Sequence, residues 1–92
     1  MEEHCYIVSY DLIKPNRNYD DLYKALKEFH FWGRLTESTW AIVSSKNHIE
    51  IRDTLKKYID ENDRLIVIRS GQAAAWANIM ASDEWAKQQL VK

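Results

Sequence analysis

A single cysteine in 92 residues rules out an intramolecular disulfide and fits a reducing compartment. With only three scattered histidines beside it, a structural zinc site lacks ligands. Proline occurs once and glycine twice, so there is no Pro- or Gly-rich linker, and no repeat or low-complexity tract interrupts the chain. No apolar run is long enough to span a bilayer, and the acidic start Met1-Glu2-Glu3-His4 is unlike a signal peptide. The expectation is a cytoplasmic protein with no membrane partner. An excess of either charge is missing too: 13 Lys plus Arg stand against 14 Asp plus Glu, a net charge of −1. A protein held on nucleic acid by electrostatics alone is normally basic, so any such site here must be a local patch.

What the chain does have is aromatic surface. It contains four Trp and five Tyr, and 46% of its residues are hydrophobic. A domain of this length buries about two-thirds of its unfolded surface, so its core is thin. The aromatic excess points to a subunit interface or to a surface on which bases stack. Trp40 belongs to the core or the interface on this reading, with base stacking as the sharper alternative.

Residues 5–10 are dense in β-branched and aromatic side chains and read as a strand, apolar on both rows. Turn residues mark 12–17 as a loop. A helix follows, with Asn18 as its cap and Leu22, Ala25, Leu26 and Phe29 as its apolar stripe. Residues 32–36 and 39–44 read as two strands joined by a tight Glu37-Ser38 turn. Asn47 and Glu50 have the spacing of a capping box, opening a helix whose stripe is Ile51, Leu55, Tyr58 and Ile59. Residues 64–69 form the last strand, stopped by Gly71. The order is βαββαβ. With right-handed crossovers it gives an α+β, ferredoxin-like fold: a four-stranded antiparallel sheet with two helices on one face. Residues 1–71 would form this core. Residues 72–92 would form a Trp-containing tail with short helices, at 73–79 and from Ser82, packed on the core or on a second subunit. The other sheet face, lined by Ile7 and Ser9, would otherwise be bare.

Asp11 closes the first strand on the same row as Ile7 and Ser9. An acid in that place is solvated at the start of a turn, paired, or holding a cation. Beside it, Tyr10-Asp11 at the end of the first strand, Lys14 and Arg17 in the next loop, the stretch 34–40 and the Asp-led final strand at 62–68 follow one another in a familiar order. In these residues the chain resembles the CRISPR-associated adaptation subunit, a family of small, dimeric, endonuclease-like proteins. It also resembles the virulence-associated protein D ribonucleases, which share the fold and the Tyr-Asp start. Thr36 stands where the first family usually has Gln, and the tail does not resemble that family's extra strand.

The resemblance implies a homodimer in which stacked sheets bring two copies of Asp11 together. Paired carboxylates repel unless a proton or a cation lies between them, and Mg²⁺ suits such oxygen ligands. Asp11 is therefore the candidate metal ligand and, with the Ser38 hydroxyl, the candidate catalytic pair of a metal-dependent endoribonuclease or endodeoxyribonuclease. The other reading of Ser38, and the one its place in the turn favours, is a turn residue satisfying its own backbone. Lys14, Arg17 and Arg34 are the candidate contacts to RNA or DNA phosphates, against the alternative of solvated surface charge. A different class of function stays open: a non-catalytic dimeric module that binds nucleic acid or protein, with a regulatory or toxin–antitoxin role suggested by the second resemblance. Cys5 reads as structural, and His4, His30 and His48 have no spacing suited to ligation.

Overall fold

Both side-chain rows of strand β1 (His4–Asp11) are largely apolar, and the rest of the chain is arranged to cover them. The computed structural model describes residues 2–13, 18–71 and 73–90. β1 is an inner strand. It pairs with β3 (Thr39–Ser44) on one side and β4 (Arg64–Arg69) on the other, and β2 (Phe31–Thr36) lies beyond β3. All three pairings are antiparallel, in the order β2-β3-β1-β4, with a register shift between Arg34 and Thr36. This is the expected ferredoxin-like α+β sheet.

Helices α1 (Asp20–Leu26) and α2 (His48–Lys56) cover one face. There Tyr6, Val8 and Tyr10 of β1 and Trp40 and Ile42 of β3 meet Leu22, Leu26, Ile51 and Leu55. Trp40 is 1% exposed, which assigns it to the core and removes it as a stacking surface for bases. α2 begins with the expected capping box: Asn47 Oδ1 accepts from the Glu50 amide at 2.9 Å, and Glu50 Oε1 accepts from the Asn47 amide at 3.2 Å. Such a cap contributes about 1 kcal/mol. In α1 the cap position is Tyr19 rather than Asn18, although Asn18 Oδ1 still accepts from the Asp20 amide at 2.8 Å.

The opposite face is largely covered by the chain's own tail. A third helix, α3 (Asp83–Gln89), brings Ala86 and the following Leu90 onto Cys5, Ala41 and Val43, with Trp76, Ile79 and Trp85 around them. This second small core absorbs much of the aromatic excess that pointed to an interface. The helix expected over 73–79 does not form. Short alanine-rich segments are poor isolated helices, and tertiary contacts decide their shape. Here Asn78 has a φ of 58°, the Met80 amide donates to the Leu35 carbonyl at 3.0 Å, and Trp76 Nε1 donates to Asp83 Oδ1 at 3.0 Å. α3 itself starts where Ser82 Oγ accepts from the Trp85 amide. The cover stops short of β4, where Ile66 and Ile68 are 54% and 52% exposed.

Gly33 makes the docking of α3 possible, because a Cβ there would lie 2.8 Å from the ring of Trp85. Gly33→Ala should therefore destabilise the fold by about 1–3 kcal/mol in urea denaturation and shift the tryptophan emission. Gly71 has nothing within 4 Å of the same position and no left-handed φ. Gly71→Ala should be neutral or stabilising by up to about 1 kcal/mol. Equal behaviour of the two variants would show that Trp85 does not rest on Gly33.

Candidate functional site

Three hydrogen bonds tie the end of β1 to β3 and to the β2–β3 turn. Buried Trp40 Nε1 donates to the Tyr10 hydroxyl at 2.9 Å, and that hydroxyl donates to the Glu37 carbonyl at 3.1 Å. The Tyr10 amide donates to the Ser38 carbonyl at 3.0 Å. Tyr10 thus points its ring into the helix-side core, while alternation along the strand sends Asp11 to the other face and into solvent. Burial pushes the Tyr10 phenol above the ordinary tyrosine range; the bond from Trp40 and the charge of Arg34 pull it back only in part.

Asp11, Arg34 and Ser38 all border one open depression of about 480 Å³, together with Tyr23, Glu37 and Met80. The structure therefore gathers three of the five candidate residues. Lys14 and Arg17 lie outside the described residues. Arg34 is partly committed elsewhere. Its guanidinium lies 5.0 Å from the Tyr23 ring centroid and 5.2 Å from that of Trp40, and Nη2 donates to the Glu37 carbonyl at 2.6 Å. Its Nε is buried with no hydrogen-bond partner among the described residues. Ser38 is exposed in the turn, as a residue facing a ligand from solvent must be.

Asp11 is paired. In the β1–β4 register it stands opposite Arg64, and Arg64 Nη1 donates to its Oδ2 at 2.7 Å. Both side chains are open to water, 61% exposed for Asp11 and 76% for Arg64, so the pair contributes at most about 1 kcal/mol to folding. Sequence reasoning gave Arg64 no role, because only the strand register places it against Asp11. The next residue upstream, Asp63, enters the sequence reading only as the leading Asp of the final strand, with no role assigned to it. Asp63 accepts from the Ile13 amide at 2.9 Å, the Tyr19 hydroxyl at 2.8 Å and the Asp60 amide at 2.8 Å. One carboxylate thus holds both flanks of residues 14–17.

Among the described residues, no group of three or more His, Cys, Asp and Glu could enclose a metal ion. Asp11 offers one exposed carboxylate with hard oxygen donors, which suits a largely hydrated cation rather than an all-protein cage. No helix among the described residues is long and apolar enough to cross a membrane.

The Tyr10 network can be tested directly. Tyr10→Phe leaves the buried Trp40 Nε1 without its acceptor and should cost about 1–3 kcal/mol in urea denaturation. A phenol whose pKa is higher folded than unfolded stabilises the fold below the unfolded value of about 10, and that part is lost as pH rises through the folded value. The variant should therefore lose stability less steeply than the wild type between pH 9 and pH 11, ~10 being the ordinary phenol value. Identical pH curves would contradict the burial of the Tyr10 hydroxyl.

A family model for CRISPR associated protein Cas2 matches residues 4–76, the whole sheet and the start of the tail. Helix α3 lies beyond the match. Among solved structures, the crystal structure of a hypothetical protein TT1823 from Thermus thermophilus aligns with a TM-score of 0.66 and 21% identity. The alignment covers 85% of this chain and 95% of that one, and at this identity it shows the fold alone. No curated protein matches the chain.

Proposed function

Because the chain belongs to the CRISPR associated protein Cas2 family, we propose that it is a homodimeric, nuclease-like adaptation protein in which two copies of Asp11 meet at the dimer axis. The observation that carries this reading is where Asp11 sits. It lies at the solvent end of a strand whose other residues are buried or half-buried, on the same side of the sheet as the uncovered Ile66 and Ile68. That strip continues into an apolar groove of about 480 Å³ lined by Ile7, Ile68, Ala74 and Trp76. Apolar surface of this kind supports an interface, and a stable one buries about 800 Å² on each partner.

One carboxylate per chain becomes two in such a dimer, which fits a divalent ion that keeps most of its waters, Mg²⁺ being the natural case. When bound, that ion would supply a water activated for attack on a phosphodiester. Asp11 would hold the ion, and Ser38 would present its hydroxyl from the turn fixed by Tyr10. Lys14 and Arg17 would meet phosphates from the segment whose flanks Asp63 holds. Arg34 would contribute the donors that its stacking leaves over. A second reading, a dimeric module that binds nucleic acid or protein without cutting, is favoured by the pairing of Asp11 with Arg64, which already occupies the carboxylate.

Sedimentation equilibrium at micromolar concentration should give twice the 10.9 kDa chain mass, and Ile68→Glu should return the mass to that of one chain. A wild-type monomer would remove the stacked-sheet site. On single- and double-stranded RNA and DNA with Mg²⁺ or Mn²⁺, Asp11→Asn should abolish cleavage and leave the dimer intact. Equal cleavage by both proteins would point to a contaminant and overturn the catalytic reading. Binding by both with cleavage by neither would establish the non-cutting module.

A further inference from the structure

We propose that Arg64 is the phosphate contact of the Asp11 site, and that its transfer from the carboxylate to a nucleic-acid phosphate is what opens Asp11 to a divalent ion. This rests on the reading of Asp11 given above. Three observations lead to it. Arg64 opens β4 directly opposite Asp11, so the strand pairing fixes the two side chains at one end of the sheet. Among the described residues, the guanidinium makes one hydrogen bond, the 2.7 Å contact to Asp11 Oδ2. A guanidinium carries five N–H donors, so most of the fork stays available. Arg34, the one candidate phosphate contact from the sequence that lies among the described residues, sits instead over two aromatic rings with one amino group on a backbone carbonyl.

The surroundings suit a phosphate. Arg64 and Asp11 border a shallow surface depression of about 200 Å³ with Ser9 and Ile66, open to solvent and on the strip assigned to the second copy. An exposed pair exchanges partners at little cost, and a phosphodiester offers the two oxygens that the planar fork matches. The two events are then linked. While Arg64 stays on Asp11, a divalent ion arriving there meets a positive charge already hydrogen-bonded to one carboxylate oxygen. Once Arg64 turns to a phosphate, the carboxylate is released and the phosphate adds a second negative charge beside it. Cation and nucleic acid must therefore each strengthen the binding of the other.

The test uses the full chain and Arg64→Gln, with folding of both checked by thermal melts. A short single-stranded RNA and the DNA of the same sequence are titrated in chelator, and Mn²⁺ is titrated separately by the paramagnetic signal of the free ion. Losing one phosphate contact should weaken oligonucleotide binding and lower its salt slope by about 1. Removing the positive charge should tighten Mn²⁺ binding without nucleic acid by about threefold to tenfold. Wild-type protein should bind Mn²⁺ more tightly when the oligonucleotide is present, and Arg64→Gln should lose that gain. Arg64→Lys should restore the salt slope. If the wild type binds both probes and Arg64→Gln changes neither, the role given to Arg64 is wrong while the Asp11 site stands. If Arg64→Gln weakens both, Arg64 is a structural support and not an exchangeable partner. If the wild type binds neither probe, the Asp11 reading falls and this inference falls with it.

Discussion

An inner strand that is apolar on both rows needs cover on both faces, and this requirement on β1 organises the molecule. Tyr6, Val8 and Tyr10 are covered by α1 and α2, and Cys5 and Ile7 by the folded-back tail. Burial of apolar surface is the largest favourable contribution in a domain of this size. The strand's polar end escapes it. Asp11 emerges where the helices end and α3 does not reach, and the same gap leaves Ile66 and Ile68 uncovered. The open carboxylate and the open apolar strip thus have one origin.

The Trp40–Tyr10–Glu37 chain connects that core to the site. Trp40 is fixed by packing, its indole fixes the Tyr10 hydroxyl, and Tyr10 fixes the turn that carries Ser38. Arg34 stacks on the same aromatic group and bonds the same Glu37 carbonyl, so its charge stiffens the turn. Asp63 does similar work on the far side, holding the residues before and after the basic segment. Packing and hydrogen bonds thus hold much of the rim of the depression, while the Asp11–Arg64 pair lies open to water.

Much of this was legible in the sequence because it depends on local pattern. Alternation identified both rows of β1 and the side on which Asp11 stands, and the Asn47–Glu50 spacing identified the start of α2. Contacts between distant segments were not legible. A strand's period tells which face a residue takes but not which strand lies beside it, so the meeting of Arg64 with Asp11 waited for the register. Alanines at 73–75 favoured a helix by composition, while contacts to Leu35 and Asp83 draw the segments on either side of Asn78 across the sheet instead. The destination of Trp85 was hidden in the same way, since its seat is the missing side chain of Gly33.

In the proposed dimer Asp11 is half of a shared carboxylate site. The most direct measurement is anomalous diffraction from crystals grown with Mn²⁺ and a short oligonucleotide. A manganese peak should lie on a two-fold axis between two Asp11 carboxylates, with each Arg64 turned from Asp11 to a phosphate. Asp11 carboxylates far apart in every contact between copies, each still bonded to Arg64 and without manganese, would contradict the shared site.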